Sequence, residues 1–254
     1  MRIAAILAET AHRPWALPSS PWAVAMRWTD LLFAHWPVSV KDVAGTLPEG
    51  LEVDTYDGVA WLGIVPFRME EVRLRGSPVL PGNHHFLEMN VRTYVREPIS
   101  GHAGVYFFSL DTNNPLAAVA ARAWYHLPYF WARMQIDAHG RTILYSSRRL
   151  FSGTRAALRL EYCGAGHERA LPPAERGTLE YFLTERYALF THFGARLIRA
   201  DIQHRKWILE PGEAVFSDLS IAAAQGIALP GTAPLLHFAE VQDIVAWPPR
   251  TIPG

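Results

Sequence analysis

The sequence predicts a single α+β domain, in which many strands and a few helices are joined by short turns. Three observations lead there. Period-two alternation recurs along the chain and is clearest from Phe86 to Val95. Turn pairs such as Asp57-Gly58 separate these runs. One alanine-rich segment, Asn114 to His126, carries the chemistry of a capped helix.

In Phe86–Val95 one face holds Phe86, Glu88, Asn90, Arg92 and Tyr94, and the other holds Leu87, Met89, Val91, Thr93 and Val95. Successive strand side chains point to opposite faces, so the second face is core and the first is mixed. A polar face either meets solvent, as one side of an antiparallel sheet often does, or the sheet curls and the face lines a cavity. Aromatic neighbours favour the cavity. In Val105–Asp111, alternation puts Ser109 and Asp111 on the face of Val105 and Phe107. In Tyr129–Ile136, Tyr129, Trp131, Arg133 and Gln135 oppose Phe130, Ala132, Met134 and Ile136. Between them, Asn114 is the expected N-cap and Pro115 the first helical residue. The helix should run to about Tyr125, with Ala117, Ala120 and Ala121 allowing close approach to the sheet.

The remaining elements follow in order. Residues 1–21, with Pro14, Pro18 and Pro21, predict a loosely docked arm before one domain over 22–254. Trp28, Leu31 and Leu32 suggest a helix over Trp22–Phe33, stopped by His35-Trp36-Pro37-Val38. A Leu-Pro-Glu-Gly turn lies within 43–54, and a strand follows Asp57-Gly58. Pro66 makes that strand an edge or a bulge. Residues 73–81 read as loop, and Pro81-Gly82-Asn83 as a turn. After the central stretch come a turn at 137–140, strands over 142–150 and 154–164, and a loop over 171–176. A helix containing Leu179–Tyr187 starts at Thr178 or Glu175. One or two strands over Arg196–Leu209 (197–203 and 204–209), a Pro211-Gly212 turn, a helix over 216–225 and a strand over 235–247 complete the chain.

Half of the 254 residues are apolar, enough for a substantial core, and the formal net charge is zero. That balance removes any general electrostatic argument for nucleic acid or an anionic membrane as partner. No apolar run approaches the ~20 residues of a membrane span, and the N-terminus lacks a signal-peptide pattern. The expectation is a soluble cytoplasmic protein. Cys163 is the lone cysteine and the eleven histidines show no metal-binding spacing, so no disulfide, metal or cofactor is expected. Lys41 and Lys206 are the only lysines.

Glu88 and Arg92 lie about 13 Å apart along the strand at ~3.3 Å per residue. They therefore bracket a ligand, or each pairs across strands with a residue such as Arg133 or Arg148. Arg holds carboxylates in bidentate fashion, Glu transfers protons, and Tyr129 can donate to an oxyanion. Glu88, Arg92 and Tyr129 are the candidate catalytic residues, with Asn90, Ser109, Asp111 and Arg133 as candidate ligand contacts. His126 either shuttles protons or complements the helix C-terminus. His35 reads as a packed residue.

Several pieces together resemble the YqjF-like bacterial family. They are His35-Trp36-Pro37-Val38, Asp57–Trp61, Phe86–Val95, Phe108-Ser109-Leu110-Asp111, Thr184-Glu185-Arg186-Tyr187, and His204 with Trp207. The resemblance covers about residues 20–248 and places the chain in the acetoacetate decarboxylase-like superfamily. It implies a curled, mostly antiparallel sheet forming a cone or partial barrel around a cavity, with helices packed outside. It also puts Glu88 near the superfamily's glutamate, Pro128 on its proline, and Tyr129 where its Schiff-base lysine stands. Imine chemistry, which needs an amine of lowered pKa, is therefore not expected. Two functions stay open: an enzyme on a carbonyl or carboxylate compound, or a non-catalytic binder of a small carboxylate-bearing ligand.

Overall fold

The computed structural model describes residues 1–79, 82, 84–151 and 153–253. Thirteen strands dominate it: β1 Val24–Val38, β2 Glu52–Val53, β3 Ala60–Leu74, β4 His85–Arg96, β5 Ala103–Thr112, β6 Tyr129–His139, β7 Thr142–Arg149, β8 Ala157–Gly164, β9 Ala188–Phe193, β10 Arg196–Gln203, β11 Glu210–Asp218, β12 Leu235–Ala246 and β13 Arg250–Ile252. The α-helices are short: α1 Ile3–Ala8, α2 Val40–Ala44, α3 Pro115–Tyr125, α4 Leu179–Thr184 and α5 Ser220–Ala223. None of the described helices is long and apolar enough to cross a membrane.

The strand pairings close on themselves. β1–β3–β4–β5–β9–β10–β12 and back to β1 is one ring. β5 also pairs with β6, and β6–β7–β8–β11 returns to β12 to make a second ring. The β12–β1–β3–β4–β5 wall belongs to both. Only the β5–β6 and β5–β9 pairings are parallel, so the curled, mostly antiparallel sheet is what forms.

Local chemistry explains the elements that follow the sequence reading. Asp57 and Gly58 take φ of 49° and 77°, as a primed two-residue turn requires, and Tyr56 bridges Val59 around them. The Asn114 side chain accepts from the amides of Leu116 and Ala117, Pro115 opens α3, and His126 closes it with φ 54°. Thr178 caps α4. Pro66 sits opposite a bulge: between Thr29 and Ala34 β1 has four residues where β3 has three between Arg68 and Ile64.

That bulge corrects the Trp22–Phe33 helix, which is strand instead. With Asp30 at φ 56°, Trp28 and Leu31 fall on the same face three residues apart, mimicking a helical repeat. Both faces of β1 are buried, so plain alternation is masked. Pro211-Gly212 is a corner rather than a turn: Pro211 pairs with β12 and Gly212 with β8. Residues 204–209 are irregular, because Trp207 gives its amide to Glu185 and its indole N–H to Thr184 O instead of to a neighbouring strand. Phe216 is in β11, leaving only α5 of the longer helix expected there. The hairpin turn falls at 140–141, later than expected. Of the expected 81–83 turn, Pro81 and Asn83 lie outside the described residues.

The arm is docked tightly, not loosely. Arg13 is buried and bonds Asp201 (3.1 Å), Gln203 (3.2 Å) and Ile202 O (2.5 Å), while Gln203 donates to Ile6 O and Glu9 O.

Leu87, Met89 and Val91 pack against Met134, Tyr145, Leu158 and Tyr162 of the second ring and Ile221 of α5, so strands more than helices cover them. The opposite face of the shared wall turns into the first ring. That ring closes where β5 meets β9, and Gly104 permits it: a Cβ there would lie 2.4 Å from Ala188 O and 2.7 Å from the Phe190 ring. Gly104→Ala is expected to destabilise the fold by about 2 kcal/mol or more through forced overpacking. Urea unfolding checks it, and an unchanged midpoint contradicts the close approach.

Candidate functional site

Three elements build the site. β4 supplies Glu88, Asn90 and Arg92 on its inner face, α3 lies across the ring, and the chain leaving α3 brings Tyr129 onto the first residue of β6. Inside the first ring they enclose a cavity of about 340 Å³. Its walls are mainly apolar, including Met26, Trp28, Phe107, Leu189, Trp207 and Ile244. The polar groups gather at Glu88, Asn90, Arg92, Tyr129, Arg186 and His204.

Glu88 is 3% exposed, and the Tyr129 hydroxyl donates to its Oε2 at 2.6 Å. Burial disfavours the carboxylate and pushes its pKa up to about 7, with the Tyr129 hydrogen bond opposing the rise. Burial, then Glu88, pushes the Tyr129 phenol well above its ordinary range. The arginine expected beside Glu88 is not there; a neutral donor serves it. Tyr145 reaches the Glu88 backbone carbonyl from the second ring at 2.8 Å and fixes that point of β4.

Arg92 is 7% exposed. Its Nη2 makes only long contacts, 3.4 Å to Leu183 O and 3.5 Å to the Tyr94 hydroxyl, and its Nε has no hydrogen-bond partner. The guanidinium sits over Phe33 at 5.4 Å. Among the described residues no carboxylate lies within ion-pair distance. Arg186 shows the contrast, because Asp54 accepts from it at 2.6 Å. The imidazole beside Arg92 brings no charge. Burial first, then Arg92 itself, holds His35 well below its ordinary pKa. The Tyr94 hydroxyl lies between Leu183 O at 2.8 Å and His35 Nε2 at 2.6 Å and ties the two together. Gly63 makes this crowding possible; a Cβ would meet His35 at 3.2 Å and Arg92 at 3.3 Å. Asn90 is buried with Oδ1 unpartnered.

Three expected contacts stand elsewhere. β5 has an extra residue between Phe107 and Ser109 opposite Val91 and Arg92. This bulge reverses the alternation, so Leu110 joins Phe107 in the cavity wall while Ser109 and Asp111 face the second ring. There Arg149 binds Asp111 at 2.7 Å and lies over Phe130 at 3.7 Å. Arg133 is exposed on β6 and paired in register with Arg148, away from Glu88 and Arg92. His126 caps α3 and stacks near Phe193. Trp28, Thr184 and Arg186 are lining residues that the chemistry of the sequence did not single out. Thr184, Arg186 and His204 were marked only by the family-like pieces that contain them.

The fold defines a class: it is acetoacetate decarboxylase-like. The chain is similar to the acetoacetate decarboxylase of Legionella pneumophila, with a TM-score of 0.61 and 14% identity over 98% of this chain and 95% of that one. It is also similar to the enduracididine biosynthesis enzyme MppR complexed with the condensation product of pyruvate and imidazole 4-carboxaldehyde. That match has a TM-score of 0.60 and 13% identity, covering 94% and 92% of the two chains. By sequence, the chain belongs to the family DUF2071, described as an uncharacterized conserved protein, whose profile matches residues 25–243. The uncharacterized protein YqjF of Bacillus subtilis (strain 168) is 42% identical over 235 residues, which is 92% of this chain and 95% of the relative.

Glu88 supplies a pH test. Its folded pKa of about 7 lies above the ordinary 4.5. Its contribution to stability is thus full below the lower value and is lost as pH rises through the upper one. Glu88→Gln keeps an acceptor for Tyr129 and cannot ionise. It should unfold about 3 kcal/mol harder than the wild type at about pH 8, and equally at about pH 4, since each tenfold change in proton affinity is worth ~1.4 kcal/mol. Urea titrations of both proteins at the two pH values check this, and a difference independent of pH contradicts it.

Proposed function

We propose that this protein is an enzyme acting on a small carboxylate-bearing carbonyl compound without forming an imine. The single observation that carries the reading is Arg92, a buried guanidinium without a carboxylate in a mainly apolar cavity. An uncompensated buried charge is costly by several kcal/mol, and a ligand carboxylate held in bidentate fashion would offset it. The Glu88–Tyr129 pair supplies the chemistry. A carboxyl that titrates near neutrality exchanges protons readily, and the phenol donates to a developing oxyanion. Neither Lys41 nor Lys206 lines the cavity, so the proton-transfer groups act on the substrate directly. Solved neighbours described as a pyruvate complex and as acetoacetate decarboxylases make small oxo acids the first compounds to try.

The extensive apolar lining favours a second reading, a carrier that holds a carboxylate-bearing ligand without turnover. One experiment separates the two. A keto- and hydroxy-acid library is screened by thermal shift, and binders are followed by NMR for conversion. The enzyme reading expects Arg92→Gln to lose binding and Glu88→Gln to bind but lose turnover by at least about a hundredfold, as for a general acid or base. Binding without conversion supports the carrier, and binding indifferent to Arg92 contradicts both. Borohydride added with pyruvate or acetoacetate is expected to trap no adduct; a reduced adduct on Lys41 or Lys206 in the mass spectrum overturns imine-free chemistry.

A further inference from the structure

The cavity is polar at one end only. From Arg92 and Glu88 it continues between the aliphatic residues at the start of β1 and end of β12, such as Val24 and Ala246, and the inner face of α3. That face is formed by Leu116, Ala117, Ala120, Ala121, Trp124 and Tyr125, positions that repeat along one side of the helix. Leu116 and Trp124 line the cavity yet are 73% and 42% exposed, and Leu74 on the opposing wall is 38% exposed. The cavity therefore reaches solvent between α3 and the end of β3, and both lips of that mouth are apolar.

A two- or three-carbon acid anchored at Arg92 would leave most of this volume empty and most of the apolar wall without a partner. At ~30 Å³ for a water-sized group, the cavity has room for about eleven such groups. We infer that the natural ligand is a medium-chain carboxylic acid, its carboxylate at Arg92 and its apolar tail running beneath α3 to the mouth at Leu116 and Trp124. This rests on the reading of Arg92 as the carboxylate anchor and extends it to the other end of the molecule. The three alanines then set the tail's channel: Ala117, Ala120 and Ala121 line the cavity beneath α3 with the smallest side chains, and larger residues there would take up its volume.

The test is isothermal titration of the full chain with linear saturated carboxylates from acetate to myristate, and with the matching primary alcohols. Each added methylene should tighten binding about fourfold, the transfer value of one CH₂, until about eight to ten carbons, and little thereafter. Ala117→Leu and Ala120→Phe should move that break to shorter chains while short acids bind as before; circular dichroism verifies that both variants fold. Arg92→Gln should erase the preference for acid over alcohol by at least tenfold and keep the chain-length slope. Acid binding that depends on Arg92 but not on chain length overturns the tail inference and leaves the anchor standing. A chain-length slope with no preference for acids overturns the anchor. No binding by any member of the series overturns both.

Discussion

β5 shares one edge between two strands, and the architecture depends on that fork. Its end near Thr112 pairs in parallel with β6, and its beginning, at Val105 and Tyr106, pairs in parallel with β9. One branch goes through β7, β8 and β11 around a filled core; the other goes through β9 and β10 around the cavity. β4 lies beside the fork and belongs to both rings. Alternation along β4 thus sorts Leu87, Met89 and Val91 into the core and Glu88, Asn90 and Arg92 into the cavity. Gly104 is where the fork is tightest, and no other residue type fits against Ala188 O.

Within the cavity, burial sets the charge states. It raises Glu88 towards neutrality and lowers His35, while Arg92 has no carboxylate beside it. Arg186, paired with Asp54, and Asp111, paired with Arg149, are buried charges with a close partner, and Arg92 differs from both. The groups beside the unpaired cation are neutral: the Tyr94 hydroxyl, the Leu183 carbonyl and the uncharged His35. The arrangement favours an anion arriving from outside over an internal ion pair.

Much of this was legible in the residues. The alternation of Phe86–Val95 and the caps of Asn114–His126 are local signals, and local signals survive folding. Asp57-Gly58 likewise needs no distant partner. The misreadings share a cause in bulges and corners that the rest of the sheet imposes. One extra residue at Asp30 turned a strand into an apparent helix, and one extra residue near Phe108 moved Ser109 and Asp111 to the wrong face. At Pro211-Gly212, a strand changing partners carries the same residues as a turn. Arg133 looked like a site residue because its strand alternates, but only long-range pairing decides which face of β6 is outside. Tyr129 as the partner of Glu88 depends on a 41-residue separation that no local pattern reports.

The most direct measurement is a crystal structure with an ω-bromo medium-chain fatty acid, located by the anomalous signal of bromine. The account predicts the carboxylate against Arg92 and Asn90, close to Glu88, with the bromine between α3 and the end of β3 near Leu116, Trp124 and Leu74. A carboxylate at the mouth with bromine beside Arg92, or an empty cavity at saturating ligand, contradicts it.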